Sequence, residues 1–280
     1  MVKKIILDSD PGHDDAVAIL LALGNKNIDL LGVTTIGGNQ TLHKVTYNAL
    51  AVLEQAHEYK VPVAAGCAKP LVRELETAPG IHGDTGLDGV DLPKPSRSVI
   101  DKHGVDFIID TIMGNEPKTI TLVPTGPLTN IAMAVRKEPR IVDRVKEVVL
   151  MGGGVHVGNW SAVAEFNMKV DPEAAHVVFN APWPVTMIGL DLTHQALCTP
   201  ARPRDIESIG TPTAKFVSQP MDFFRKSYEK NQGFVDPPVH DPCTVAYLID
   251  PSVITVSKAP IDAETQGPLT PGRTLAALGP

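Results

Sequence analysis

The chain is poor in the features that mark several function classes. Only 5% of its 280 residues are aromatic, too few for the stacking platforms that bind single-stranded nucleic acid. Lys and Arg number 25 against 32 Asp and Glu, a net charge of −7, and the densest basic spots are pairs such as Lys3-Lys4 and Arg225-Lys226. Polyanion binding needs clustered cations, so nucleic acid is not an expected partner. Three cysteines, Cys67, Cys198 and Cys243, are scattered and odd in number. They suggest neither a disulfide framework nor a thiolate metal site, and they suit a reducing, cytoplasmic setting. The apolar start Ile5-Ile6-Leu7 stops at Asp8, and no run approaches the about 20 apolar residues of a membrane span, so neither a leader nor a membrane is expected. Internal repeats, low-complexity tracts and evident linkers are also missing, which favours one domain over residues 1–280.

What is present points to a packed α/β protein. Hydrophobic residues make up 43% and charged residues 20%, a composition that excludes intrinsic disorder. Strand-like runs at Val2–Leu7, Ile28–Ile36, Val61–Ala65, Thr119–Val123, Glu147–Met151 and Val185–Leu190 alternate with helical stretches at Asp14–Gly24, Leu42–Tyr59, Val105–Met113, Leu128–Val135 and Pro172–Phe179. That alternation predicts an open, mostly parallel central sheet flanked by helices, Rossmann-like in class. Two long aperiodic stretches, residues 66–98 and 152–170, read as binding loops.

In such sheets ligands sit outside the carboxyl ends of the strands. Those ends carry Asp8-Ser9-Asp10-Pro11-Gly12, Gly37-Gly38-Asn39, Thr125-Gly126-Pro127, Gly152–Gly154 and Asp191, and the helix-rich tail adds His240-Asp241-Pro242. The first cluster sets four carboxylates, Asp8, Asp10, Asp14 and Asp15, at one strand-to-helix junction. First-turn charge in the helix accounts for Asp14 and Asp15. Four like charges in a half-dry site repel, and a hard divalent cation such as Ca²⁺ or Mg²⁺ resolves the conflict through oxygen ligands. The alternative is a set of solvated turn and cap residues. An EF-hand loop is excluded by Gly12 and Ile19 at its ligand positions, and a dinucleotide fingerprint by the loop that follows Gly152-Gly153-Gly154.

The segment Asp8-Ser9-Asp10-Pro11-Gly12-His13-Asp14-Asp15-Ala16 resembles the N-terminal signature of the nucleoside hydrolases of the inosine-uridine preferring type. Gly38-Asn39, His82-Gly83, Thr125-Gly126-Pro127-Leu128-Thr129-Asn130, Met151-Gly152-Gly153, Ala164-Glu165-Phe166-Asn167, Asp171-Pro172-Glu173-Ala174 and His240-Asp241-Pro242 follow in the matching order, covering roughly residues 1–265. Gly158-Asn159-Trp160 and the stretch from Asp222-Phe223-Phe224 to Cys243 are most similar to bacterial pyrimidine-preferring ribonucleoside hydrolases.

The resemblance implies hydrolysis of the N-glycosidic bond of ribonucleosides, uridine and cytidine foremost, in nucleoside salvage. It implies one Ca²⁺ per chain, held by Asp10, Asp15, the Thr125 carbonyl and Asp241, that activates a water. Asp10 is then the general base, and His240 assists the departing base by a proton or a hydrogen bond. Asp14, Asn39, Asn159, Glu165 and Asn167 are implied as ribose contacts, which would favour ribosides over 2′-deoxyribosides. For the base, His82, Trp160, Phe166 and Tyr228 are the candidates. Plainer readings exist for some of these: Asp241 as an N-cap before Pro242, Asn39 as a helix cap, Glu165 and Asn167 as solvated loop residues, and Phe223 and Phe224 as core. Tyr228 fits either reading.

The family also implies homodimers or homotetramers. Its members continue beyond Gln266–Thr270, whereas this chain runs into a Pro- and Gly-rich tail ending in Gly279-Pro280, an expected weakness for packing there. Purine or broad specificity, a Mg²⁺-dependent phosphohydrolase built on Asp8-Ser9-Asp10, and a non-catalytic nucleoside binder are the alternatives. The second lacks the downstream Thr and Lys such enzymes use, and the third has no need of both Asp10 and His240.

Overall fold

The computed structural model describes residues 2–278; Gly279-Pro280 of the tail lies outside them. Six strands, β1 (Lys3–Ser9), β2 (Ile28–Thr35), β3 (Val63–Ala65), β4 (Ile120–Pro124), β5 (Glu147–Met151) and β6 (Val185–Ile188), pair in parallel in the order β3-β2-β1-β4-β5-β6. A small antiparallel pair, β7 (Ile261–Ala263) and β8 (Thr274–Ala276), stands apart from this sheet. The helices are α1 (His13–Gly24), α2 (Leu42–Gln55), α3 (Pro79–His82), α4 (Gly104–Gly114), α5 (Thr129–Lys137), α6 (Ile141–Arg144) and α7 (Phe166–Val170). They continue with α8 (Pro172–Phe179), α9 (Leu190–Thr193), α10 (Ala201–Glu207), α11 (Pro212–Ser218), α12 (Met221–Gln232) and α13 (Pro242–Ile249).

Successive strand residues point to opposite faces, and the buried strands show it residue by residue. Ile5, Leu7, Val123 and Val149 belong to one core layer with Ala18 and Ile19 of α1, Val52 and Leu53 of α2, and Val245 and Leu248 of α13. Ile6, Leu122, Val148 and Leu150 face the other layer, filled by Ile108 and Ile112 of α4, Ile131 of α5, and Ala174 and Val178 of α8. Apolar residues on both faces explain why these strands read as continuous apolar runs rather than alternating ones.

Differences from the sequence reading are local. α2 stops at Gln55 instead of Tyr59 because His57 takes a left-handed φ of 54°, which ends the helix, and Glu58 then accepts from the Lys60 and Val61 N–H groups. Leu190 is helical, since Gly189 turns the chain from β6 into α9. Each long loop contains one short helix: α3 with Pro79 in its first turn, and α7 capped by the Glu165 carboxylate.

The strand order reverses direction between β1 and β4, the switch point where such sheets open a crevice. The Asp8–Asp15 junction and Thr125 follow these two strands and so meet at that crevice.

Candidate active site

Four acids gather there from two distant stretches of chain. The turn Pro11-Gly12 leads β1 into α1, which puts Asp14 and Asp15 in the helix's first turn. Asp241 arrives at the start of α13, which packs against α1. It occupies the N-cap position before Pro242, as the plainer reading has it, but its side chain makes no capping bond, which leaves the carboxylate to the crevice. Carboxylate oxygens of Asp14, Asp15 and Asp241 lie within 4.8 Å of one another, and all three side chains are buried. Asp15 is held on both oxygens: Oδ1 accepts from Ser9 Oγ at 2.7 Å and Thr125 Oγ1 at 2.9 Å, and Oδ2 from the Gly12 N–H at 3.0 Å and Asn39 Nδ2 at 3.1 Å.

Asp10 stands beside this trio rather than within it. Its Oδ2 accepts from the Asn39 N–H at 2.6 Å, while its buried Oδ1 has no hydrogen-bond partner. The carboxylate fits between two glycines. A Cβ on Gly38 would fall 2.1 Å from Oδ2, and one on Gly126 2.6 Å from Oδ1. The Thr125 carbonyl, the remaining oxygen implied for the cation, accepts from Asn167 Nδ2 at 2.8 Å and keeps a second lone pair.

The charges are uncompensated within the protein. Among the described residues lining the pocket there is no Lys or Arg. Two full negative charges at such a spacing repel by roughly 3 kcal/mol at an effective dielectric of about 20. Burial therefore dominates, with neighbouring acids adding to it. It raises Asp14 to about 7 with Asp15 contributing, and pushes Asp10 and Asp241 well above the usual carboxylate range. An unpartnered buried oxygen beside three clustered carboxylates and a carbonyl is an all-oxygen donor set that fits a hard divalent cation.

Above this floor one pocket is lined by Asp14, Asn39, His82, Thr125, Asn159, Trp160, Glu165, Phe166, Asn167, Tyr228, His240 and Asp241. Asp10 and Asp15 sit behind it, tied to Asn39 and Thr125. Asn39 is no helix cap, because Thr41 precedes α2 and the Asn39 amide goes to the Asp10 carbonyl and Asp15. Glu165 and Asn167 are buried rather than solvated. Glu165 accepts from the N–H groups of Gly153, Asn167 and Met168, and burial still raises its pKa to about 7. Phe224 is core as expected, packing on Tyr228.

His240 is held at both ring nitrogens. Nδ1 lies 2.7 Å from Thr193 Oγ1, and Nε2 lies 2.8 Å from the Tyr228 hydroxyl. Burial, with His194 adding to it, lowers its pKa to about 3, so the ring is neutral. Tyr228, open to two readings in the sequence, is thus both buried and part of the pocket. His82 lies against His13, Nδ1 to Nδ1 at 3.2 Å, with its ring stacked on it. The pocket also includes Ala78, Ile81, Met151 and Gln232, which the sequence reading did not single out. Met151 ends β5 and was accessible to the strand-end rule; Gln232, at the last turn of α12, carried no signal.

Residues 5–279 match the family described as inosine-uridine preferring nucleoside hydrolase. The inosine-uridine preferring nucleoside hydrolase of Leishmania major is 60% identical over 98% of this chain and 88% of its own length. The pyrimidine-specific ribonucleoside hydrolase RihA of Shewanella sp. (strain ANA-3) is 45% identical over 98% of this chain and 86% of its own. Among solved structures, the purine-preferring ribonucleoside hydrolase of Gardnerella vaginalis superimposes with a TM-score of 0.93 at 38% identity, covering 98% of this chain and 88% of that one. With the sheet order, the crevice and the acid cluster already in place, these likenesses span the whole domain, and the chain belongs to the inosine-uridine preferring nucleoside hydrolase family, a hydrolase of ribonucleosides.

Proposed function

We propose that the enzyme hydrolyses the N-glycosidic bond of uridine and of inosine to ribose and free base, with one Ca²⁺ per chain. The pyrimidine preference read from the sequence supports uridine. The 60% identity to a protein named inosine-uridine preferring, against 45% to one named pyrimidine-specific, adds inosine. The observation that carries the chemistry is the buried Asp14–Asp15–Asp241 cluster beside the partnerless Asp10 Oδ1.

Asp10, Asp15, Asp241 and the Thr125 carbonyl would hold the cation, with Asp14 close by. Bound there, such an ion supplies charge that grips sugar hydroxyls and acidifies a water. Asp10 Oδ1 is the base: it is fixed through Oδ2, faces no donor, and accepts the proton of the attacking water. As the C–N bond breaks the ribose gains oxocarbenium character, which the surrounding carboxylates stabilise. Asp14, Asn39, Asn159, Glu165 and Asn167 pair with ribose hydroxyls. His240, neutral and bonded to Tyr228, assists the leaving base through that hydroxyl, and His82, Trp160 and Phe166 complete the walls. A reducing cytoplasm, in keeping with the three free cysteines, and homodimers or homotetramers, checked by light scattering, belong to the same reading.

A panel of uridine, cytidine, inosine, adenosine and 2′-deoxyuridine, followed by reducing-sugar release, tests the proposal. Chelated protein is expected to be inactive and to recover with Ca²⁺. Asp10→Ala is expected to lower turnover about a thousandfold, the scale of a lost general base. Phosphate release from a phosphoester, with every nucleoside left intact, would overturn it.

A further inference from the structure

The two long loops meet over the pocket through one carboxylate that the chemistry above does not use. Glu76, in the loop of residues 66–98, accepts from Trp160 Nε1 at 2.7 Å. Its other oxygen lies 3.8 Å from Lys169 Nζ on α7. The indole packs edge-on against Phe166 at 4.7 Å, in a small apolar cluster with Leu75 and Ala78. Glu76 itself does not line the pocket; Trp160 and Ala78 do. Lesser ties close the same rim: Gln232 Nε2 to the Asn159 carbonyl at 3.4 Å, and Asn231 Nδ2 to the Gly80 carbonyl at 2.7 Å.

Within this rim the free volume is about 40 Å³. That is room for roughly three waters, in a pocket about half open to solvent. The Glu76–Trp160 bond is the one of these rim ties whose acceptor is a carboxylate.

We propose that Glu76 is a positioning residue for nucleoside capture. It fixes the Trp160 indole as a wall of the pocket against which the base of the nucleoside is held. The inference rests on the reading of this pocket as the nucleoside site. It does not touch the acids or His240, so it predicts an effect on KM and none on the chemical step.

The experiment compares wild type, Glu76→Ala and Glu76→Gln in the full chain, each also in a Trp183→Phe background so that Trp160 is the sole tryptophan, excited at its red edge where tyrosine does not absorb. Glu76→Ala is expected to raise KM for the hydrolysed nucleoside about tenfold, the scale of one charge-assisted hydrogen bond, with kcat within about twofold. Glu76→Gln, whose amide oxygen still accepts from the indole, is expected to recover most of that loss. Trp160 emission is expected to shift to the red in Glu76→Ala, and Glu76→Gln to restore it. An unchanged KM in Glu76→Ala, or a fall in kcat alone, overturns the proposal, as does an emission spectrum identical to wild type. Failure of the pocket reading shows differently: the wild type then hydrolyses no nucleoside, while the emission arm still reports on the Glu76–Trp160 bond.

Discussion

Two residues show how finely the pocket is set. Gly38 has no side chain to spare, since a methyl there would stand 2.1 Å from Asp10 Oδ2. Gly38→Ala is therefore expected to displace the Asp10 carboxylate and cut kcat at least about a hundredfold, while leaving far-UV circular dichroism unchanged. Retained turnover would show that the carboxylate has room the geometry denies. Glu165 offers a pH test. Burial moves its pKa from the ordinary 4.5 to about 7 despite three backbone N–H donors. Between those values the folded chain keeps a proton that the unfolded chain has released. The stability it contributes is thus complete at low pH and is lost as pH rises through 7. The melting temperature of the wild type should fall more steeply between pH 5 and 8 than that of Glu165→Gln, which cannot titrate. Equal slopes would mean that Glu165 is ionised throughout.

At the scale of elements, Asn130 is the joint on which the crevice hangs. It opens α5, and its amide donates to Asp8 Oδ1 on β1 at 2.8 Å and to the Thr35 carbonyl on β2 at 3.0 Å. It also accepts from the Cys67 N–H after β3 at 2.8 Å. Three strand ends are thus fixed by one buried side chain. Asn130→Ala leaves the Cys67 N–H without a partner and takes one of two donors from both Asp8 Oδ1, which keeps Thr34 Oγ1, and the Thr35 carbonyl, which keeps the Gly66 N–H. It is expected to cost about 3 kcal/mol, read as a lower urea midpoint at unchanged m. Such joints explain what the sequence could and could not disclose. The sheet was legible because apolar runs and helical stretches alternate, and Asp10, Asp14 and Asp15 were legible because they share one motif. Asp241 was not, since its 226-residue separation from Asp15 is closed only by the packing of α13 on α1, and a family resemblance had to supply it. Asn130 stood out only as the last residue of a family motif, and Gln232 carried no signal. Their roles come from neighbours that are distant in sequence, whereas the early stop of α2 is local, set by the left-handed backbone of His57, a residue that carries no helix-breaking signal.

Taken whole, the molecule carries seven more negative charges than positive and concentrates four buried acids where its first and last helices meet. Chain ends that pack on each other through α1 and α13 bring those acids into one place, so folding works against their repulsion unless a cation is present. Binding to the folded state alone stabilises it by RT ln(1 + [L]/Kd), about 2.7 kcal/mol at a hundredfold excess over Kd. Chelation is accordingly expected to lower the melting temperature by several degrees, and Ca²⁺ to restore it. Asp241→Asn separates this from unspecific salt effects. It removes one of the mutually repelling charges and puts an amide donor beside the Asp15 carboxylate. Without cation this variant should melt above the chelated wild type; with Ca²⁺ it should gain little and turn nothing over, because function is what the destabilising charge serves. A variant that stayed as cation-responsive as the wild type would place the ion elsewhere, and the far-flung pairing of Asp15 with Asp241 would then need a purely structural reason.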